Sequence, residues 1–251
     1  MRVRPRRIAL ATLAASSLLL LTACGGSSGA ASGAGSVGKK DKAQSAPAVP
    51  EAITAAQAQQ ALVALGDLPA GWKLEANTGL DKSQGGADDD VISGVKPLCA
   101  PIAALLNNGR LEEDHKANAQ EVFTKKGDQT TVAQDVSGYT RAQAEKAMTG
   151  LHAAVEQCGT FPGKEGGKPA SLTVRKTAQQ PKYGDDSVSY TVKVVQGDME
   201  MDFDMGTVRI HGAVTTVLNN YPDTGDRGKA AFGAALAKAS EKLAAVAAKT
   251  A

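Results

Sequence analysis

Apolar residues recur at intervals of three and four along four segments of the chain, which is the spacing of one helix face. The clearest segment follows Thr140, where the intervals are 4, 3, 4 and 3. Its apolar positions are Ala144, Met148, Leu151, Val155 and Cys158. The predicted helices cover residues 54–65, 97–109, 140–158 and 232–246. Pro97 is a typical first helical residue and Gly109 a typical stop signal, so the second helix has two predicted ends.

Between these segments, apolar and polar residues alternate one by one, which is the pattern of a strand with one buried face. Val188, Tyr190, Val192 and Val194 share one side of such a strand. Further strands are predicted at residues 72–75, 117–125, 130–138, 172–176, 199–205, 207–210 and 213–218. Tight turns join consecutive strands, so the sheet is predicted to be antiparallel with helices packed on one side. This arrangement is an α+β fold.

The N-terminal residues 1–23 have the three parts of an export signal. Four arginines precede an apolar run of about 14 residues, and small residues follow it. A helix needs about 20 apolar residues to span a bilayer. We therefore expect a cleaved signal peptide rather than a permanent membrane segment.

The signal ends in the order Leu21, Thr22, Ala23, Cys24. This order resembles the lipobox of bacterial lipoproteins. The resemblance implies that the chain is cut before Cys24 and that the thiol carries a diacylglycerol. Such a lipid would anchor the protein in the cell membrane on its extracellular face. The alternatives are a signal peptide that ends near a cysteine by chance, and a twin-arginine signal at Arg6-Arg7, which the following residues fit poorly.

The net charge of the chain depends on the predicted signal peptide. Loss of residues 1–23 removes four arginines and no acid, so the formal charge falls from +2 to −2. We expect no nucleic-acid partner, because phosphate binding needs a concentrated basic patch.

Residues 24–53 are rich in Gly, Ser and Ala, which predicts a flexible tether after the lipidated cysteine. Residues 54–251 are long enough for one folded domain.

Cys99 and Cys158 are the two cysteines that remain if lipid modifies Cys24. An exported chain meets an oxidising space, in which paired thiols persist. We therefore predict a structural disulfide between them. A redox pair and a metal site are the alternatives, although neither cysteine belongs to a CxxC motif.

The sequence contains no motif of a known catalytic or metal centre around its histidines. The histidines are His115, His152 and His211. Three carboxylates, on Glu200, Asp202 and Asp204, share one face of a predicted strand. We interpret this row as a solvated outer face or a charged edge strand, with a hydrolase site as the alternative. The acidic run at residues 88–90 is interpreted as a solvated loop.

The opposite face of that strand carries an apolar row formed by Met199, Met201, Phe203 and Met205. Methionine adapts to irregular shapes, so such a row can line a pocket for an apolar ligand. Packing in the core under the helices is the expected use of the row, and the ligand pocket is the alternative. The candidate ligand-binding residues are Trp72, Tyr139, Tyr190 and the four residues of this row.

Four stretches together resemble one known family. They are "DLPAGW" at residues 67–72, "GYTRAQAEKAM" at 138–148, "YGDDSVSYTV" at 183–192 and "VRIHGAVTTV" at 208–217. The order is similar to that of the extracellular sensor domain of PknH-type mycobacterial serine/threonine kinases and of related actinobacterial lipoproteins. The resemblance implies a mixed α/β domain with a central antiparallel sheet, disulfide support and a cleft for an unidentified ligand, without enzymatic activity. Those kinase domains carry two disulfides, whereas this chain has cysteines for one.

These observations predict an extracellular ligand-binding or sensing lipoprotein without catalytic activity, metal or cofactor. Its expected partners are the membrane, through the lipid on Cys24, an unknown small molecule or lipid, and an envelope protein that receives the signal. A carrier of lipids or glycolipids is the main alternative and would need a closed apolar cavity large enough for acyl chains. A structural envelope protein without a ligand is a further alternative.

Overall fold

The computed structural model describes residues 52–75, 92–111, 114–127, 130–221 and 228–249. The predicted signal peptide, Cys24, residues 24–51 of the tether and the acidic run at 88–90 lie outside the described residues, so their interpretation stays a prediction. Within the described ranges, no helix combines the length and the apolar character needed to cross a bilayer.

The described residues contain one antiparallel sheet of nine strands. The strands are β1 Trp72–Leu74, β2 Ile92–Ser93, β3 Ala117–Lys125, β4 Thr131–Gly138, β5 Thr160–Glu165, β6 Lys168–Lys176, β7 Asp186–Gln196, β8 Met199–Ile210 and β9 Ala213–Tyr221. Their order across the sheet is β1-β3-β4-β9-β8-β7-β6-β5-β2. The predicted antiparallel sheet is confirmed, and β8 is its central strand.

Four α-helices pack on the sheet within the described residues. They are α1 Ala55–Gln60, α2 Ala100–Asn108, α3 Arg141–Gln157 and α4 Lys229–Ala247. Thr140 caps α3, since its Oγ1 accepts the N–H of Gln143 at 3.3 Å while the Gln143 side chain accepts the N–H of Thr140 at 3.0 Å. Gly109 ends α2 with a positive φ of 76°. The predicted ends of these two helices agree with the structure to within a few residues.

Helices cover both faces of the sheet, so the prediction of helices on one side was wrong. α2 and α3 pack on one face, and α1 and α4 pack on the other. The reason lies in the central strands, whose polar residues are satisfied inside the protein rather than by water. Gln134 of β4 is fully buried. Its Nε2 donates to Thr215 Oγ1 at 2.9 Å, and its Oε1 accepts the N–H of Val63 at 2.7 Å. A polar residue such as Gln134 makes its strand face look solvent-exposed in the sequence, although helices cover that face in the structure.

Three strand predictions differ from the structure. β8 runs without interruption through Gly206, where the sequence predicted two strands. β5 was not predicted, because Pro162 and Gly163 weaken its strand pattern. β2 was not predicted either, because it has only two residues.

A disulfide joins Cys99 to Cys158, which confirms the predicted pairing. The bond connects the start of α2 to the residue that caps the end of α3, and the two Cα atoms are 5.9 Å apart. Both cysteines are buried in the core on that face. This burial favours the structural role over a redox pair, because a reactive thiol needs access to solvent.

Two glycines test how closely α4 packs on the sheet. A Cβ added to Gly206 of β8 would lie 2.6 Å from Leu236 Cδ2 of α4. Gly206→Ala should therefore lower the free energy of unfolding by about 1–3 kcal/mol, the usual cost of overpacking. The control is Gly233→Ala within α4, where an added Cβ meets no atom of the described residues within 4 Å. This change should raise the free energy of unfolding by about 0.5–1 kcal/mol, because alanine favours helix. Urea denaturation measures both, and a neutral Gly206→Ala would contradict the close packing.

Candidate functional site

The first half of β8 borders a hollow on the sheet face that carries α2 and α3. Its volume is about 210 Å³. The residues that line it are Ile92, Leu106, Glu165, Val194, Met199, Met201, Phe203 and Asn220. We call this hollow the methionine groove. Six of its lining residues are apolar, and the two polar ones are a carboxylate and an amide.

Strand register explains why residues distant in the sequence meet at the groove. In the β7–β8 pair, Met201 lies opposite Val194. In the β8–β9 pair, Phe203 lies opposite Asn220. Residues directly opposite each other in an antiparallel pair point to the same face of the sheet. The groove floor is therefore built from three adjacent central strands.

The apolar row of β8 passes from solvent into the core. Met199 is 48% exposed, Met201 and Phe203 are half-buried, and Met205 is completely buried in the core. Three of its four residues line the groove, and Met205 packs under the helices.

One asparagine fixes a wall of the groove. Asn107 of α2 accepts the N–H of Ile92 through Oδ1 at 2.8 Å and donates from Nδ2 to the carbonyl of Ile92 at 2.9 Å. These two bonds hold the edge strand β2 against α2. Ile92 and Leu106, which precedes Asn107 in α2, both line the groove.

Glu165 is one of the two polar residues that line the groove. It is the last residue of β5 and is only 6% exposed. Its carbonyl accepts a hydrogen bond from Gln196 Nε2 at 2.6 Å, which ties the end of β5 to the end of β7. Among the lining residues that the structure describes there is no lysine, arginine or histidine.

The three aromatic candidates lie away from the groove. Trp72 is buried on the opposite sheet face and lines a second, more open hollow of about 370 Å³ together with Lys125 and Gly228. Tyr139 and Tyr190 are completely buried in the core on the groove face and line neither hollow. The Tyr190 hydroxyl has no hydrogen-bond partner among the described residues, and burial raises the pKa of this group.

The carboxylate row of β8 points to the face opposite the groove. Its interpretation as an edge strand was wrong, because β8 is central. Glu200 is exposed and pairs with Lys193 as a solvated residue would. Asp204 is only 6% exposed and accepts a hydrogen bond from Asn219 Nδ2 at 3.2 Å. The interpretation of the row as a solvated face was therefore wrong at Asp204. Burial raises the pKa of Asp204, and burial together with the nearby Asp204 charge raises the pKa of Tyr221 to about 12.

Two of the histidines contact single carboxylates. His152 Nε2 lies 2.8 Å from Asp186 Oδ1, and His211 Nδ1 lies 3.4 Å from Asp185 Oδ2. Within the part of the chain that the structure describes, no three His, Cys, Asp or Glu residues are close enough together to hold a metal ion.

Glu165 and Asn220 were missed as candidate residues. Each stands near the end of its strand without a neighbouring motif, and β5 itself was not predicted. The sequence carries no local signal for either residue, because only the sheet order brings them to the methionines.

Comparison with known proteins gives a likeness of fold. No protein-family model matches the chain, and no curated protein sequence matches it. The crystal structure of the extracellular domain of PknH from Mycobacterium tuberculosis is similar, with a TM-score of 0.53. The similarity covers 75% of this chain and 97% of that domain at 10% sequence identity. At this identity the likeness concerns the fold alone, and it agrees with the predicted sensor-domain-like α+β architecture.

Proposed function

We propose that this protein is a lipid-anchored extracellular protein that binds a small apolar molecule in the methionine groove and signals its presence to an envelope partner. The observation that carries the proposal is the partly exposed end of the β8 row, which lines the groove together with residues of β2, α2 and the neighbouring strands. The likeness of the fold to the extracellular domain of PknH supports an extracellular sensing role.

The groove suits a small ligand. Methionine side chains are flexible and polarisable, so they adapt to apolar surfaces of different shape. Drug-sized ligands occupy pockets of roughly 300–1,000 Å³, and the groove measures about 210 Å³. It therefore favours a small molecule, or the end of a longer one, over the complete acyl chains that a lipid carrier encloses.

The lining residues also support binding without catalysis. They offer van der Waals contacts, one carboxylate and one amide. None of the described lining residues is a serine, cysteine or histidine, which are common nucleophiles and bases of covalent catalysis. The proposed role is therefore recognition.

Binding can be measured with the uncharged dye phenylnaphthylamine, whose fluorescence rises in apolar surroundings. The full chain should bind it saturably. Met201→Glu should weaken that binding by about tenfold or more, because it places a carboxylate in the apolar floor where the dye lies. The control is Leu74→Glu, which changes an exposed apolar residue of β1 at the far edge of the sheet and should leave the affinity unchanged.

Two results would contradict the proposed site. One is the absence of saturable dye binding by the wild-type protein. The other is an equal loss of affinity in both variants, which would indicate binding to exposed apolar surface in general.

The lipid anchor is tested at Cys24. In cells of the source organism, the wild-type protein should incorporate labelled fatty acid and sediment with membranes. Cys24→Ser should lose the label and appear in the soluble fraction, because serine has no thiol to acylate. A Cys99→Ser/Cys158→Ser double variant is the control and should keep the label. Fatty-acid label on Cys24→Ser would disprove the anchor at this residue.

A further inference from the structure

We infer that the ligand of the methionine groove is a planar aromatic molecule of one or two rings that carries a neutral hydrogen-bonding substituent. This inference rests on the proposed function and deepens it by naming a chemical class. The ring system would lie against the methionines and Phe203, and its substituent would reach Asn220.

The first support is the chemistry of the groove floor. Met199, Met201 and Phe203 follow one another on one face of β8, so neighbouring members of the row are about 7 Å apart. Methionine sulfur makes favourable contacts with aromatic rings, and a phenylalanine ring pairs with another ring in an edge-to-face or offset arrangement. A saturated ligand of the same shape gains neither contact. The row therefore favours aromatic rings over aliphatic ones.

The second support is the free surface of these side chains. Met201 and Phe203 are half-buried, because each packs on the core with one part and lines the groove with another. Met205, the next member of the row, is completely buried and offers nothing to a ligand. The sulfur and ring contacts that the core leaves unused are therefore concentrated at the groove.

The size of the groove is the third support. Its volume is about 210 Å³. An apolar cavity of about 150 Å³ is large enough to bind benzene. The groove therefore has room for one or two rings, whereas a long alkyl chain would leave most of its surface in water.

Asn220 supplies the polar contact. It lies opposite Phe203 in the β8–β9 pair, so the two Cβ atoms are about 5 Å apart. Among the described residues, the Asn220 side chain has no hydrogen-bond partner. An amide both donates and accepts hydrogen bonds but carries no charge to offset the desolvation of an ion. It therefore suits a hydroxyl or carbonyl group on a ring that contacts Phe203.

Three probes of similar size separate the ring from the substituent. They are naphthol, methylnaphthalene, which lacks the hydroxyl, and decahydronaphthol, which lacks the aromatic rings, all substituted at the same carbon. Each is titrated into the full chain at neutral pH in competition with phenylnaphthylamine. Naphthol should bind about tenfold more tightly than decahydronaphthol, which is the combined size of one ring–ring and one sulfur–ring contact.

Two variants test the ring contacts. Phe203→Leu and Met201→Leu keep an apolar side chain, and each should lower the ratio of naphthol to decahydronaphthol affinity by about threefold. The matched control is Phe232→Leu, which removes a ring of α4 from the opposite sheet face and should keep the ratio. The melting temperature of each variant shows that it is folded, and the wild-type comparison needs no variant.

Asn220→Ala tests the polar contact. It should weaken the binding of naphthol by about fivefold, the size of one neutral hydrogen bond, and leave that of methylnaphthalene nearly unchanged. An equal effect on both probes would show that no hydrogen bond from Asn220 selects the hydroxyl, and would overturn the assigned substituent.

The outcomes for the ring are distinguishable from those for the site. Equal affinity of the wild-type protein for naphthol and decahydronaphthol, or failure of naphthol to displace the bound dye, would overturn the inference and leave the proposed function intact. An equal fall of the ratio in Phe203→Leu and Phe232→Leu would also overturn it. Absence of saturable dye binding would overturn the inference together with the proposed function.

Discussion

β8 lies at the centre of a sheet that helices cover on both faces. The alternation of its side chains between these two faces determines both the core around it and the groove. From Asp204 to Val208 every residue of β8 is buried, so each side chain must suit one of two helical layers. Towards Met199 the helices no longer cover the strand, but the apolar row continues in the same register. The groove therefore lies where the apolar row of β8 continues beyond the helices that cover the rest of it.

The shape of that opening depends on the position of α2. Gln120 Nε2 of β3 donates to the carbonyl of Asn108 at the end of α2 at 2.8 Å and to Asp135 Oδ2 at 2.9 Å. Asp135 is buried and also accepts from Asn118 and Ser137. Burial raises the pKa of Asp135 although these hydrogen bonds favour the carboxylate. Buried polar groups with directional bonds fix one arrangement of helix on sheet, whereas apolar contact alone permits sliding.

Much of this fold could be predicted from the sequence because its local signals are strong. Thr140 and Gly109 mark helix ends by hydrogen bonding and backbone geometry, which depend on near neighbours. The two-sided helical cover could not be predicted, because Gln134 is polar in the sequence and buried in the fold. Three of the eight residues that line the groove, Met199, Met201 and Phe203, were among the candidates, since the methionine row alternates within one strand. Glu165 could not be found, because strand order brings it to the groove.

The most direct test of the groove is methyl NMR of the full chain labelled at its methionines, of which there are five. Titration with phenylnaphthylamine should shift the Met199 and Met201 signals and leave Met148 and Met205, which are completely buried, nearly unchanged. Shifts confined to Met148 or Met205, or no shift at Met199 and Met201 while the dye binds, would place the ligand elsewhere and contradict the site.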